Sequence, residues 1–300
     1  MALPDDIQNP DTYRRWRDAK LSAYPASIDA LTVPVDEPAA PAKDQIYELA
    51  QICGRANMAI YEGPGGTGED KRVPIAMGRA LGLKNVERSL TTENDGVSAL
   101  EVAAGGPKSA YIPYTDRRLG WHTDGCYNDD DHAINGFILH CVRAAREGGE
   151  NFLLDPEIAY IYLRDENPDY IDGLMQPNAL SIPANEKDGK IIRAAHSGPA
   201  LALDPITHAL HLRYTARKSY VAWLDDARVL GALEFLEAML SDDCSHIFRV
   251  KLRPGSGLVG NNVLHGRTKF EDGDGPGDKR LIYRIYYQDR ISGAGEGALS

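Results

Sequence analysis

The spacing of apolar positions divides the chain into a helical front and a strand-rich remainder. In residues 10–25, Tyr13, Trp16 and Ala19 recur at near-helical intervals, which predicts a short helix ended by Pro25. Residues 29–43 (DALTVPVDEPAAPAK) are rich in Pro and Ala and read as an extended connector. From Lys43 to Ala59 the pattern is helical, with Ile46, Leu49, Ile52 and Cys53 on one face. Glu69 to Leu81 is a further helix candidate, with Gly82 near its C-terminal end. After about residue 84 the segments shorten and turn signals recur. Strands are expected at 134–142, 151–154, 210–213, 247–252, 257–260 and 281–288. Two helices interrupt them, at 156–172 and at 225–240, the second with apolar positions 229, 230, 233, 236 and 240 on one stripe. The pattern predicts an α+β, β-rich fold, a sandwich or jelly roll flanked by helices. No boundary, repeat or low-complexity tract divides it. We read residues 1–300 as a single domain: a helical N-terminal cover over about 1–83, a core with inserts over 84–292, and a flexible tail at 293–300. Residues 271–279 (EDGDGPGDK) read as a mobile loop.

Composition narrows the class. The 300 residues carry 33 Lys and Arg against 44 Asp and Glu, a formal charge of −11. That balance disfavours nonspecific binding to nucleic acid or an anionic membrane. The polar, acidic N-terminus has no apolar signal-peptide region, and no stretch is long and apolar enough for a membrane span. Cys53, Cys126, Cys141 and Cys244 form no C-x-x-C pair. They read as reduced thiols in a cytoplasmic protein.

The chemistry-bearing residues matter as a set. In Gly120-Trp121-His122-Thr123-Asp124-Gly125 an imidazole and a carboxylate stand two apart. On an extended segment both point to one face and can reach one ion. His265 follows 143 residues later in Asn261-Asn262-Val263-Leu264-His265. Two histidines and one carboxylate leave coordination positions open, the facial-triad arrangement of non-haem Fe(II) oxygenases. Arg280 follows His265 by 15 residues and Arg284 comes four later. On a strand that separation keeps both on one face, and a buried guanidinium there needs an anionic partner. The distal carboxylate of 2-oxoglutarate suits Arg280, because Arg binds a carboxylate bidentately.

These residues resemble the taurine dioxygenase and clavaminate synthase-like superfamily of Fe(II)/2-oxoglutarate-dependent oxygenases. The likeness is carried by Trp121-His122-Thr123-Asp124, Glu147 to Leu153, Asn262-Val263-Leu264-His265 and Arg280 to Arg284, and covers about 115–290. It implies a double-stranded β-helix (jelly roll) with a helical insert between the metal-binding segments. It implies His122, Asp124 and His265 as ligands of Fe(II), with 2-oxoglutarate and O2 as co-substrates and release of succinate and CO2. By the same resemblance Arg280 holds the co-substrate, and Arg284 matches a second arginine that faces the substrate's anionic group. Asn151 stands where the family usually has Thr, and its amide can donate a similar hydrogen bond. Arg118 matches a position that lines the substrate pocket. Tyr114, Gly125 and Cys126 flank the H-x-D segment and join the candidate substrate residues. The expected substrate is a small molecule bearing a carboxylate, sulfonate or phosphonate, oxidised at an unactivated C–H bond. A homo-oligomer is compatible with the sequence.

Two other functions fit parts of the pattern: a cupin-like metal-dependent isomerase or hydrolase without 2-oxoglutarate, and a non-catalytic ligand-binding relative. Arg280 argues against the first and the intact ligand set against the second. Gly63-Pro64-Gly65-Gly66-Thr67-Gly68 satisfies G-x-G-x-x-G, but it follows a predicted helix and contains Pro64. It therefore reads as a loop, with a lid as the functional alternative. Asp129-Asp130-Asp131-His132 reads as a solvated surface, Asp272-Gly273-Asp274-Gly275 lacks EF-hand spacing, and His140 reads as a core histidine.

Overall fold

The computed structural model describes residues 3–66, 68–89, 92–187, 190–217, 221–242 and 244–292. The flexible tail expected at 293–300 lies outside the described residues. The helices are α1 (Pro10–Ala23), α2 (Lys43–Ala56), α3 (Arg72–Ala80), α4 (Pro156–Glu166), α5 (Pro168–Leu174) and α6 (Ala227–Ser241). The strands of the front half are β1 (Thr32–Pro34), β2 (Met58–Glu62), β3 (Val86–Glu87), β4 (Ser98–Leu100), β5 (Leu119–His122), β6 (Gly136–Arg143), β7 (Glu147–Gly148) and β8 (Asn151–Leu154). The insert adds β9 (Leu180–Ile182), β10 (Asn185–Lys187), β11 (Lys190–Arg193), β12 (His196–Gly198), β13 (Leu201–Leu203), β14 (Leu210–Leu212) and β15 (Ala222–Trp223). The chain closes with β16 (Phe248–Val250), β17 (Ser256–Gly260), β18 (Leu264–Arg267), β19 (Phe270–Glu271) and β20 (Leu281–Tyr287).

The larger sheet runs β1-β2-β17-β6-β20-β3, with β4 also on β20, and the smaller runs β16-β8-β18-β5. The two sheets make the jelly roll, and their inner faces meet at the candidate site. His265 of β18 lies 5.1 Å from the Phe137 ring of β6, centroid to centroid. Outward, Trp121 donates to the Leu240 carbonyl of α6 at 3.1 Å, so α6 covers the far face of the smaller sheet. One hydrophobic core joins both sheets to α1, α2, α4 and α6. No described helix is long and apolar enough to cross a membrane. All four cysteines are free, with Cys53, Cys126 and Cys141 buried.

Local chemistry sets the helix ends. Asn9 caps α1 by accepting from the amides of Asp11 and Thr12 at 2.9 and 3.3 Å, and Pro10 starts the helix. The helix expected over 156–172 is two helices. Asn167 precedes Pro168, is non-helical (φ −156°, ψ 113°) and caps α5. Of the stripe expected on α6, Val229, Leu236 and Leu240 are buried but Leu230 is 45% exposed.

Four other expectations change. The connector at 29–43 contains β1, paired parallel with β2. The helix expected through Ala59 stops at Ala56, where Asn57 turns left-handed (φ 57°), and Ala59 belongs to β2. Residues 63–68 therefore follow a strand and precede α3, contrary to the expected order. The surrounding topology is still not a βαβ unit, because β2 pairs antiparallel with β17 and α3 leads to β3, antiparallel to β20. Gly63 serves close packing: a Cβ there would come within 2.4 Å of Pro38 Cγ. Finally, the 271–279 loop is a hydrogen-bonded turn. Asp272 accepts from the Arg280 amide at 2.8 Å, and the Gly273 amide donates to the Asp278 carbonyl at 3.1 Å.

Candidate metal and co-substrate site

His122 ends β5, Asp124 follows in the next turn, and His265 sits in β18 directly opposite His122 in the antiparallel register. One ligand atom from each of the three lies within 4.8 Å of the others, and no other such group forms among the described residues. His122 Nε2 is 3.7 Å from Asp124 Oδ1, and His265 Nε2 is 3.4 Å from Asp124 Oδ2. The Nδ1 atoms are occupied elsewhere. That of His122 faces the Gly120 carbonyl at 3.0 Å, and that of His265 the Val263 carbonyl at 2.9 Å. Each contact fixes the tautomer that leaves Nε2 free as a lone-pair donor.

The electrostatics favour a cation. Burial pushes the His265 imidazole down to about 4, helped by repulsion from His122, so the ring is neutral near pH 7. Burial alone would raise the Asp124 carboxyl, but the two imidazoles and Arg284 outweigh it and hold it well below the usual carboxylate range. Among the described residues, Asp124 Oδ2 is buried without a hydrogen-bond partner. A buried, charged oxygen left unsatisfied beside two imidazoles whose Nε2 atoms face it is a donor set that a divalent ion completes.

Several residues that the sequence pattern did not single out hold this group. Asn262, left-handed at φ 50°, accepts from the Asp124 amide at 2.8 Å. Its side chain also donates to the carbonyls of Asp124 at 2.9 Å and Ile134 at 2.6 Å, tying the two ligand segments together. Tyr286 of β20 donates to Asp124 Oδ1 at 2.5 Å. The insert pairs beside β5: the Thr123 amide donates to the Tyr214 carbonyl at 2.9 Å, and the Ala216 amide to that of Trp121 at 2.9 Å. Arg213 reaches the Cys126 and Asn128 carbonyls at 3.0 and 3.2 Å, holding the turn after Asp124.

Of the expected co-substrate residues, Arg280 and Asn151 come together. They line one small cavity with Cys141, Gly149, Lys251 and Ile282. Arg280 is 7% exposed, lies 5.1 Å from the Phe270 ring centre, and has no carboxylate within ion-pair distance among the described residues. Burial pushes its guanidinium down to about 10. Strand alternation carries Ile282, Arg284 and Tyr286 along one face of β20, and Arg280, just before the strand, lines the same cavity as Ile282. Arg284 lies beside the ligand group, its Nε buried without a partner among the described residues and its guanidinium carbon 4.2 Å from the Tyr286 ring centre.

The expected substrate residues divide. Tyr114 is buried and its hydroxyl has no partner. Gly125 is left-handed (φ 66°), and a Cβ there would come within 2.9 Å of Ile134 Cδ1. Cys126 is buried, and burial pushes its thiol up to about 12. Arg118 is not brought to Arg284. It is exposed, its guanidinium carbon 5.5 Å from the Phe152 ring centre, and Phe152 packs on Trp121 at 4.5 Å. His140 is a core residue, its Nδ1 2.9 Å from the Tyr61 hydroxyl. His132 pairs with Glu87 at 3.2 Å.

Comparison with known proteins gives the fold and the family. An asparagine oxygenase solved with Fe(II), 2S,3S-3-hydroxyasparagine and succinate superposes with a TM-score of 0.58 at 16% identity, over 86% of this chain and 93% of that one. The non-heme iron oxygenase OrfP with Fe and alpha-ketoglutaric acid gives 0.59 at 16% identity, over 84% of this chain and 79% of that one. At such identity these likenesses establish the fold. A uridine-5'-phosphate dioxygenase from Amycolatopsis sp is 33% identical over 193 residues, 58% of this chain and 66% of that protein. One from Streptomyces sp is 30% identical over 206 residues, 65% of this chain and 70% of that protein. The family described as taurine catabolism dioxygenase TauD, TfdA family matches residues 24–286. The chain belongs to the TauD/TfdA family of dioxygenases.

Proposed function

We propose that this chain acts as one oxygenase domain that oxidises a C–H bond of a small phosphate-bearing molecule, a nucleoside 5'-phosphate of the uridine type. His122, Asp124 and His265 hold the iron, and Arg280 with Asn151 holds 2-oxoglutarate. The gathering of three ligand atoms around the unsatisfied Asp124 Oδ2 carries the reading. Arg280 supports the choice of co-substrate, because a buried guanidinium without a carboxylate calls for an anion of its own. The phosphate rests on two supports: the curated relatives named for uridine 5'-phosphate, and Arg284, whose buried Nε has no protein partner beside the ligand group. The expected anion narrows accordingly, from a carboxylate, sulfonate or phosphonate to a phosphate ester.

Bound iron supplies the oxidising power, with O2 and 2-oxoglutarate as oxidant and reductant. The protein's share is placement. Arg280 pins the distal carboxylate of the co-substrate and so sets how its other end meets the metal face. Arg284 fixes the substrate anion from β20. Tyr214 and Thr215 close the side of the H-x-D segment, and burial of Asp124 and His265 keeps bulk water from the reacting centre. The test is succinate formation by the iron-loaded protein with uridine 5'-phosphate, uridine and taurine as alternatives. Turnover with the phosphate ester alone is the expected result. Equal turnover with uridine refutes the phosphate anchor, and no 2-oxoglutarate-dependent optical band under anaerobic Fe(II) refutes the co-substrate site.

A further inference from the structure

The two oxygens of Asp124 are treated differently by the fold. Oδ1 accepts the Tyr286 hydroxyl at 2.5 Å and lies 3.7 Å from His122 Nε2, whereas Oδ2 has no hydrogen-bond partner among the described residues and faces His265 Nε2 at the shorter distance of 3.4 Å. The Asp124 backbone is immobilised at both its amide and its carbonyl by Asn262. Rotation of the carboxylate is then the freedom that remains, and Tyr286 restrains it. Tyr286 is itself fixed. It is 7% exposed, pairs with Phe137 and Glu87 on its two sides, and lies under the Arg284 guanidinium.

We infer that Tyr286 is a positioning residue that restricts Asp124 to one metal-facing oxygen and so preserves an open coordination position. The inference rests on the metal-site reading given above. A carboxylate binds a cation through one oxygen or through two. With two imidazoles and one carboxylate oxygen, an octahedral ion keeps three further positions, enough for a two-point co-substrate and dioxygen. A second oxygen from Asp124 would take one of them. The Tyr286 hydroxyl offers Oδ1 a better-placed partner and prevents this. Losing a hydrogen bond that orients a metal ligand commonly costs about 10- to 100-fold in metal affinity or activity; here the loss falls on co-substrate binding, because the freed oxygen adds a metal contact while taking a position the co-substrate needs.

The test compares wild type with Tyr286→Phe, which keeps the ring and its packing but removes the donor. Mn(II) serves as probe, with bound water counted by proton relaxation and 2-oxoglutarate affinity measured on the Mn(II)-loaded protein. The expected result is Mn(II) binding as tight as wild type or tighter, about one fewer bound water, and 2-oxoglutarate affinity weaker by about 10-fold or more. An unchanged water count with unchanged 2-oxoglutarate affinity overturns the inference. Parallel weakening of Mn(II) and 2-oxoglutarate with a lowered melting temperature also overturns it, by assigning Tyr286 to packing alone. Wild-type protein that holds no Mn(II), or a His265→Ala variant that holds it equally well, overturns the metal site itself; the failure of Tyr286→Phe alone leaves that site standing.

Discussion

Replacing Lys20 with methionine tests the packing of the N-terminal cover, because it removes a cation that water does not reach. Lys20 is 1% exposed, and its partners Asp155 and Glu157 are 0% and 2% exposed. Its Nζ stands 2.6 Å from Asp155 Oδ2, donates to Glu157 Oε2, and donates to the Arg55 carbonyl at 2.6 Å. The contact to Asp155 is ionic rather than a well-aligned hydrogen bond. Burial lowers the Lys20 ammonium, but the combined attraction of Asp155 and Glu157 outweighs it and the ammonium is raised. Arg290 feels the same two carboxylates and bonds Asn57 Oδ1 at 3.0 Å, so two cations balance two anions. Methionine fills the volume and leaves one negative charge uncompensated. Breaking a buried pair costs about 3–5 kcal/mol. An unfolding entropy of about 2.1 cal/mol/K per residue gives about 0.6 kcal/mol/K for this chain, so the melting temperature should fall by about 5–8 °C. Guanidinium unfolding of the metal-free protein, followed by tryptophan fluorescence, measures the loss. The double variant Lys20→Met/Glu157→Gln restores one cation against one anion and should recover at least half of it. A single-variant loss below about 1 kcal/mol, or a double variant worse than the sum of its singles, refutes the charge-balance reasoning.

Three further outcomes are expected. Arg280→Ala removes the buried guanidinium of the co-substrate cavity and should raise the 2-oxoglutarate Kd about 30-fold or more, from loss of about 2 kcal/mol; an anaerobic Fe(II) titration reads this, and an unchanged Kd removes Arg280 from the site. Asn262→Ala unties the two ligand segments and should weaken Co(II) or Mn(II) binding about 10- to 100-fold by direct titration; wild-type affinity would assign Asn262 to the turn alone. His140→Gln addresses acid stability. Burial holds His140 down to about 4, so between its unfolded value near 6.5 and about 4 the unfolded chain takes up a proton that the native ring refuses. Its contribution is present above the unfolded value and lost as pH falls toward 4, at up to about 1.4 kcal/mol per pH unit. Unfolding of metal-free protein between pH 4.5 and 6 should therefore show a shallower slope in the variant, and an unchanged slope refutes the assignment.

The ligand set was legible because it depends on residue type and local spacing. The H-x-D pair needs only an extended segment, and Arg280 and Arg284 need only strand alternation. The helices were legible where the apolar period is clear and the caps are local, as at Asn9 and Asp226. Strand β2 was not, because Met58-Ala59-Ile60-Tyr61 continues the apolar run of α2. What separates them is Asn57 turning left-handed and the hydrogen bonds offered by β17, a partner 200 residues away in sequence. The short insert hairpins were hidden for the same reason, since β9, β12 and β15 hold together by pairing rather than by their own pattern. Arg118 shows the limit of counting positions. Four residues before His122 the chain has not yet entered β5, and the guanidinium settles over Phe152.

The residues that hold the ligands were less visible than the ligands, and the cause is the architecture. A jelly roll places its site where two sheets face each other, so partners of one ligand come from strands far apart in sequence. Asp124 takes its backbone partner from the β17–β18 turn, 138 residues on, and its side-chain partner from β20, 162 residues on. No motif spans such distances. Alternation along β20 nevertheless reaches one residue beyond Arg284 on the same face. Once Arg284 is assigned to the inner face of β20, Tyr286 must share that face, and a tyrosine there needs an acceptor that a buried carboxylate provides. The same argument distinguishes Asn262 from Asn261. Asn261 accepts from the Ile291 amide at 2.8 Å and belongs to the seam with the C-terminal segment, while Asn262 turns toward Asp124 and Ile134. Two adjacent asparagines thus point opposite ways, one into the fold's closure and one into its metal site, and the left-handed backbone of Asn262 makes that divergence.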